Sequence, residues 1–575
     1  MRNACFHPHP PSVNFGRLYV FTCVALLAPM TPGAAQSQAH EHYERTTSID
    51  EPSPSGSLAP RLQNLGKHEF PVTTKSEQAR RFMNQGLTLT YGFNHAEAGR
   101  AFAEAARLDP QLAMAHWGQA LVLGPNINAP MAAEDEPKAL EHLRRAQALR
   151  NEASQRERDY IDALALRYTG KAEDRIAADQ AYAGAMRALH EKYPDDLDAA
   201  TLYAESIMDL RPWNYWTRDG RPYEQTGEII RALEGVIARN PEHPGALHYW
   251  IHLWEASNTP EKAETAADRL LPLVPGAGHL VHMPGHIYQR VGRYADAVKA
   301  NQLAARADED YIAQCRAQGL YPLGYYPHNV HFLWFGATMA GQSRIAIDAA
   351  NKTASAIPAE AVEKLPLLQT FLLTPDYALV RFGRWDEILA APPPRADTLF
   401  TRAVRHYARG MAFIRKKDYG PAQQEIAAVR KIASDPQIVA APTSMSLNLA
   451  DSVLRVAIEV LEGELAAAQG EYDSAVAHLD RAVRYQDALI YTEPDDWHQP
   501  VRHNLGAVLL QAGRPVEAES VYWDDLRQHP LNGWALYGLA QALRAQNKLD
   551  QAKQVEASFA KAWADADVTL TASRF

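Results

Sequence analysis

Histidine is concentrated between residues 243 and 331, where eight of the chain's 22 histidines lie. Two His-x-x-x-His pairs, His248 with His252 and His282 with His286, stand thirty-four residues apart in this window. Offsets of three and four residues place side chains on one face of a helix, and two imidazoles at that spacing can chelate one metal ion. We therefore predict a metal site with the ligands His248, His252, His279, His282, His286, His328 and His331.

The type of ligand indicates which metals would fit this site. Imidazole is a common ligand of zinc and copper, whereas magnesium and calcium prefer carboxylate and carbonyl oxygen. Met283, Tyr249, Tyr288 and Glu255 lie nearby in the sequence and would serve as additional ligands or as outer partners of the ligands. The expected cofactor is copper or zinc, as one or two ions.

Two chemistries fit such a site, and the sequence leaves both open. The two His-x-x-x-His pairs, together with His328 and His331, would supply three nitrogens to each of two coppers. Oxygen-activating dicopper sites need that kind of ligand set, but zinc hydrolysis is equally compatible with it. The chain is therefore a candidate copper-dependent oxidoreductase or zinc hydrolase, and storage of the ions without turnover is a third use of the same ligands.

Other catalytic patterns are missing from the sequence. It contains no His-Glu-x-x-His pair, P-loop, Gly-x-Ser-x-Gly elbow or complete dinucleotide-binding loop. Cys315 has no motif around it and is interpreted as a half-buried thiol. His503 has no histidine four residues on, so we predict that it is structural or contacts a ligand.

A thirty-four-residue period organises most of the chain and must position these histidines. Phe82, Gly86, Ala98, Phe102 and Pro110 have the spacing of one tetratricopeptide repeat, to which this stretch is similar. Its turn signature recurs at residues 292–297, 341–346, 383–385, 470–475 and 513–518. The resemblance implies an all-α, right-handed solenoid of roughly eight or nine tetratricopeptide repeats with long inserted loops and a concave groove.

The same resemblance implies where the paired histidines lie. In tetratricopeptide arrays the helix positions that they occupy line the concave groove, while the core takes apolar residues such as Leu247 and Ile251. A groove of this kind also suits a different function, a non-catalytic scaffold that binds a peptide, a protein or a small molecule through its histidines and aromatic residues. Plain structural packing of the histidines is the remaining alternative.

Four long segments interrupt the regular array at residues 124–130, 211–223, 321–328 and 493–500. They are rich in Trp, Tyr and Pro, and long loops in a compact array are usually functional or disordered. We interpret them as ordered flaps near the groove, with the alternative that they only cap exposed hydrophobic helix ends.

The layout as a whole resembles a family of exported bacterial tetratricopeptide-repeat proteins. The segments that carry the resemblance are residues 124–128, 276–286, 500–506 and 532–534. The resemblance covers almost the whole chain and implies the fold and export, but it implies no settled activity.

The N-terminal residues have the pattern of a secretory signal. Arg2 and Arg17 precede an apolar run at residues 18–28, and small residues follow at 33–35. We predict a signal peptide at 1–35, a flexible tail at 36–74, and a periplasmic or secreted protein that is soluble after cleavage. The repeat units would then divide into 75–242, the histidine-rich 243–350, and 351–575.

Charge and cysteine usage exclude several classes of protein. The net charge is −10, and no strongly basic block occurs, which argues against a nucleic-acid partner. The three cysteines, Cys5, Cys23 and Cys315, are too few for a disulfide framework.

Overall fold

The computed structural model of this chain describes residues 56–315, 317, 321–394, 396–439, 441 and 448–575. These residues belong to one compact unit, Thr46–Phe575. The predicted signal peptide at 1–35 and the predicted tail up to residue 55 lie outside the described residues. The rest of the predicted flexible tail, residues 56–74, packs on the helices, since Phe70 is fully buried and the backbone N–H of Leu62 donates to Gln85, so this part differs from the prediction.

The described part of the chain is all-α and contains no β-strand, which confirms the predicted fold class. Its first helices are α1 (Glu77–Tyr91), α2 (His95–Leu108), α3 (Ala113–Leu121), α4 (Glu136–Ala148), α5 (Gln155–Ala165), α6 (Arg175–Lys192), α7 (Leu197–Met208) and α8 (Thr226–Arg239). The middle of the chain forms α9 (Pro244–Glu255), α10 (Glu264–Leu270), α11 (Gly278–His282), α12 (Pro284–Arg290), α13 (Tyr294–Cys315), α14 (Tyr326–Met339) and α15 (Ser343–Ser355).

The remaining helices continue the array to the C-terminal region. They are α16 (Ala359–Lys364), α17 (Thr374–Arg381), α18 (Trp385–Ala390), α19 (Leu399–Arg415), α20 (Tyr419–Ala433), α21 (Pro436–Val439), α22 (Ala450–Ala468), α23 (Tyr472–Asp487), α24 (Val501–Gln511), α25 (Pro515–Gln528), α26 (Gly533–Ala545) and α27 (Leu549–Ala562). Short 3-10 turns lie at Ala133–Asp135, Arg150–Glu152, Ala172–Asp174, Pro260–Ala263 and Pro366–Leu373, and a π-turn lies at Tyr321–Tyr325. No helix in the described ranges is long and apolar enough to cross a bilayer.

Successive helices pack as hairpins, and each hairpin packs on the next, as expected for a tetratricopeptide solenoid. In the first hairpin, α1 with α2, a Cβ on Gly86 would lie 2.5 Å from the ring of Phe102, and a Cβ on Gly118, in the following helix α3, would lie equally close. The signature glycines form the turns between helices, because Gly292 and Gly470 take φ angles of +82° and +83° that suit glycine. The figure of eight or nine repeats stays a prediction, since several hairpins lack the regular spacing.

The histidine-rich repeat departs from the predicted single helix. Its first helix is interrupted between α11 and α12, at the junction of Met283 and Pro284. Proline has no backbone N–H and its ring clashes with the preceding turn, so an uninterrupted helix is unfavourable there. The break lies between His282 and His286 and therefore sets the angle between these two side chains.

Candidate metal centre

Six of the seven predicted histidines form two groups of three. The first triad consists of His248 and His252 on α9 and His279 on α11, and its ligand atoms all lie within 4.8 Å of one another. The second triad consists of His282, His286 and His328, from α11, α12 and α14, and it meets the same limit.

The two triads are direct neighbours. The ring centroids of His279 and His282 are 5.7 Å apart, and those of His252 and His286 are 5.9 Å apart. One helix, α11, contributes a histidine to each triad. The six rings therefore form one continuous cluster.

Hydrogen bonds fix the protons on two rings of the first triad. His248 donates from Nδ1 to the carbonyl oxygen of Tyr91 at 2.6 Å, and His252 donates from Nδ1 to Oε1 of Glu255 at 2.8 Å. A neutral imidazole carries one proton, so the lone pair of each ring is left on Nε2. These Nε2 atoms, and both nitrogens of His279, are buried without a hydrogen-bond partner among the described residues.

The second triad is held in the same manner. His282 donates from Nδ1 to Oδ1 of Asn301 at 2.7 Å, and the amide group of Asn301 is oriented by its own donation to the carbonyl of Ala297 at 2.8 Å. His286 directs Nδ1 at Oε2 of Glu255, 2.8 Å away, and at the carboxylate of Glu493. The Nε2 atoms of His282 and His286 consequently face each other at 2.8 Å.

Glu255 connects the two triads. One carboxylate oxygen contacts His252 of the first triad and the other contacts His286 of the second, each at 2.8 Å. Of the six histidines, Glu493 contacts only His286. The sequence had placed Glu255 among the possible outer partners, but Glu493, more than two hundred residues away in the chain, was missed because only the folded chain brings it close.

The electrostatics of the cluster favour neutral ligands with one charged exception. Burial lowers the pKa of five histidines well below the ordinary value, namely His248, His252, His279, His282 and His328. Burial also acts on His286, but the attraction of Glu255 and Glu493 is stronger and raises its pKa to about 10. Burial raises the pKa of Glu493 to about 7.

The site is enclosed, so the prediction of an open groove face was wrong. Five of the six rings are at most 1% exposed, His328 is half-buried, and every residue of α9 is buried. The ring of Phe93, in the turn after α1, packs on His248, His252 and His279 at centroid distances of 4.6 to 5.8 Å. A layer of loops and turns therefore covers the helix face that an ordinary array would leave open.

The four predicted loops meet over the cluster. Trp213 packs edge-on against His252 at 5.1 Å and donates from its indole nitrogen to the carbonyl of Ile127. Tyr325 packs against His279 at 5.0 Å. With Glu493 from the fourth loop, these contacts fit the interpretation of the loops as ordered flaps.

The structure separates His331 from the predicted ligand set. Its ring stacks on Trp334 at 5.0 Å and contacts Phe371 at 5.6 Å, and it belongs to neither triad. For two coppers with three ligands each, the sequence predicts six ligands that include His331, but in the structure His279 is the sixth and completes the first triad. A spacing of three residues put His331 on the helix face of His328, but the start of α14 turns only His328 toward the cluster.

The other residues singled out from the sequence have ordinary structural roles. His503 accepts a hydrogen bond from Arg381 at Nδ1 and donates from Nε2 to Asp525, each at 2.9 Å. Cys315 is free and half-buried, and burial raises the pKa of its thiol. Tyr288 donates to Asp268 and does not face the triads.

Together, the fold and the site define a class of protein: a tetratricopeptide-like solenoid that encloses a centre of six histidines. No family model matches the chain, and no curated protein matches it. Among solved structures, the human IFIT1 dimer with m7Gppp-AAAA is similar at 12% identity over 86% of this chain and 91% of that one, with a TM-score of 0.30. Yeast Tom70 is similar at 15% identity over 86% and 93%, with a TM-score of 0.26. The P58(IPK) TPR domain is similar at 13% identity over 82% and 98%, with a TM-score of 0.21. At these scores the similarities carry no argument about function.

Proposed function

We propose that this protein binds two transition-metal ions, one in each histidine triad, and acts as a copper-dependent oxidoreductase. The observation that carries the proposal is the arrangement of six clustered imidazoles in two adjacent groups of three. In three of them Nδ1 donates to a fixed acceptor, so that Nε2 is left for an ion, and in His286 an ion would replace the proton on Nε2. Ligand histidines in metalloproteins almost always have such an outer partner on the second nitrogen.

The distances fit ions of this size. Zinc and copper lie about 2.0–2.1 Å from a histidine nitrogen, so two ligands of one ion lie roughly 3 Å apart. The Nε2 atoms of His282 and His286, 2.8 Å apart, are close to that separation. In the metal-free protein the raised pKa of His286 keeps that ring protonated, so its Nε2–H donates to Nε2 of His282, and a bound ion would take the place of that proton.

Each residue around the ligands has a defined task in this proposal. Asn301, Glu255 and the Tyr91 carbonyl orient the imidazoles, and Glu493 holds the Nδ1 proton of His286. Phe93 and Trp213 exclude water from the first triad. The three nitrogens of each triad would hold one ion, and a pair of copper ions so held would supply the chemistry of binding and reducing dioxygen.

Zinc hydrolysis is the alternative chemistry, because neutral imidazole suits both metals. The scaffold that binds a peptide is less well supported, since burial keeps the histidines out of reach of a partner in the groove. The proposal retains export, to the periplasm or outside the cell, from the sequence pattern of residues 1–35; N-terminal sequencing of exported protein, expected to begin near Gln36, tests it.

Metal analysis of defined variants tests the proposed centre. Wild-type protein purified without chelator, or loaded with Cu(I) under nitrogen, is expected to hold two ions that survive gel filtration, measured by mass spectrometry of the elements. His252→Gln combined with His286→Gln should lose both. The matched control is His331→Gln, a histidine of the same region outside both triads, which should keep both ions.

Glutamine is used in place of alanine because these rings are buried. Because His252 and His286 are buried, alanine at either position would leave a cavity, whereas glutamine keeps more of the side-chain volume. A wild-type protein without bound ions after loading would refute the metal proposal and leave the peptide-binding scaffold as the leading function. Dioxygen uptake by the cuprous form separates the copper oxidoreductase from the zinc hydrolase.

A further inference from the structure

A separate cavity of about 480 Å³ lies outside the metal centre. Its walls come from the segment before α1 (residues 65–71), the start of α7 (195–198), the turn before α9 (240–244) and residues 273–274. The volume is within the range of small-molecule sites. None of the six proposed metal ligands lines it.

A buried polar network forms part of the cavity wall. Oδ1 of Asp198 accepts a hydrogen bond from the hydroxyl of Tyr91 at 2.7 Å and another from Nε2 of His68 at 2.9 Å. Nε2 of His243 lies 3.2 Å from the same oxygen. The side chains of His68 and Asp198 are each 8% exposed, so both are more than nine-tenths buried and still reach the cavity.

The proton positions distinguish the group of His68, Asp198 and His243 from the two histidine triads. Nδ1 of His243 accepts a hydrogen bond from the backbone N–H of Ala246 at 3.2 Å, so the proton of the neutral ring is on Nε2 and no lone pair is left there for an ion. In neutral His68 the proton is on Nε2, toward Asp198, which leaves Nδ1 as an acceptor. Nδ1 of His68 and Oδ2 of Asp198 thus remain as acceptors without a partner among the described residues.

The charges around the cavity have the sign that complements these acceptors. Five carboxylates line it, from Glu69, Asp195, Asp196, Asp198 and Glu242, against two cations, Lys67 and Arg156. Arg156 is already engaged by Asp196 at 2.9 Å. A ligand with hydrogen-bond donors and a positive charge fits this combination, whereas an anion would meet like charge.

We infer that this cavity binds a small organic cation with an ammonium group, which donates to Nδ1 of His68 and to the free carboxylate oxygen of Asp198. At the rim, Glu69 and Glu242 hold the charge of the ligand, whereas Asp195 is paired with Arg239 and Asp196 with Arg156. The size of the cavity suits an aliphatic amine or diamine.

One residue joins this cavity to the metal centre. Tyr91 donates from its hydroxyl to Asp198, while its backbone carbonyl accepts the Nδ1 proton of His248. A ligand that binds Asp198 therefore shares this carboxylate with the hydrogen bond from Tyr91, whose backbone carbonyl orients the proposed metal ligand His248. The amine site itself does not depend on the metal proposal.

Calorimetric titration of the full chain, freed of metal by a chelator and dialysed, tests the inference with putrescine as the probe. We expect saturable binding at one site, and none with 1,4-butanediol, which has the same chain length and no charge. Asp198→Asn and His68→Gln should each weaken putrescine binding at least tenfold. Asp195→Asn, at the rim of the same cavity and 95% exposed, is the matched control and should bind as the wild type does.

The outcomes that would overturn the inference are distinct from a failure of the metal centre, since the putrescine and butanediol titrations use metal-free protein. Equal binding of butanediol, no saturable putrescine binding, or unchanged affinity in His68→Gln would each refute it. Titration with Zn²⁺ identifies the competing occupant: a zinc site lost in His68→Gln, with no amine site, also refutes it. Circular dichroism checks the fold of each variant, and His68→Gln decides the matter if Asp198→Asn does not fold.

Discussion

At the scale of single residues, the position of one proton distinguishes a metal ligand from a structural histidine. His248, His252 and His282 each donate from Nδ1 to an acceptor, which leaves Nε2 available. His243 is equally buried, but its Nδ1 accepts from a backbone N–H, so its Nε2 is protonated. Histidines that are equally buried thus differ in whether Nε2 can bind a metal ion, and the difference comes from their hydrogen-bond partners.

Glu255 is expected to support both triads, whereas Glu493 supports one. Glutamine at position 255 offers a single acceptor oxygen, so it can serve His252 or His286 but not both. We expect Glu255→Gln to weaken the binding of both ions: by about 10–100-fold for the ion whose ligand loses its acceptor, and less for the other, because an amide oxygen is a weaker acceptor than a carboxylate. Competition with a chelator of known affinity measures this.

The matched control for this substitution is Glu493→Gln, which removes the same charge beside His286 only. Glu493→Gln should weaken the binding of one ion and leave the affinity for the other ion as in the wild type. A Glu255→Gln variant that binds both ions with wild-type affinity would contradict the assigned role of Glu255.

At the scale of elements, the loop between α23 and α24 is fastened to the metal centre at two points. Glu493 contacts His286, and the hydroxyl of Tyr491 lies 3.2 Å from the carbonyl oxygen of Glu255. The loop between α7 and α8 lies beside it, since Arg218 donates to the carbonyl of Asp487. The cover of the site therefore consists of segments that the repeat itself does not require.

Metal loading should therefore slow hydrogen exchange in residues 489–499. A bound ion fixes His286, and His286 holds Glu493, so opening of the loop would have to break more contacts in the loaded protein. Exchange measured by mass spectrometry should decrease severalfold there. The turn at residues 469–471, between α22 and α23, serves as the internal reference and should exchange equally in both forms, so a uniform change along the chain would speak against a local effect.

At the scale of the whole molecule, the fold buries an unusual amount of neutral imidazole. Burial lowers the pKa of His95 and His142 to about 4 and that of His331 to about 3, in addition to five of the six triad histidines. His529 has the opposite behaviour, because Asp495 and Asp525 outweigh its burial and raise its pKa to about 9. Most of these buried histidines therefore have a lowered pKa.

The metal-free protein should accordingly lose stability as the pH falls. Below about 6.5 the unfolded chain takes up protons that the buried rings cannot, so the free energy of unfolding decreases from pH 6.5 down to the folded pKa values near 4. Each lowered pKa unit contributes about 1.4 kcal/mol at most. The urea midpoint, measured with chelator present, should be clearly lower at pH 5 than at pH 7.5; an equal midpoint at both would contradict this account.

The sequence by itself determined the repeat architecture and most of the candidate ligands. Glycine and alanine at fixed spacing predict helical hairpins because only small residues allow the helices to approach, as Gly86 and Phe102 show. The His-x-x-x-His pairs depend on local helix geometry, which is why His248 lies in one group with His252, and His282 in one group with His286.

The tertiary structure alone decided the rest. Whether His279 or His331 completes a triad depends on how α11 and α14 are rotated against each other, and no local spacing encodes that rotation. The burial of the cluster and the contact of Glu493 with His286 join segments far apart in the chain. The cavity at His68, Asp198 and His243 was missed for the same reason, since its residues come from three separate elements that meet only when the solenoid has formed.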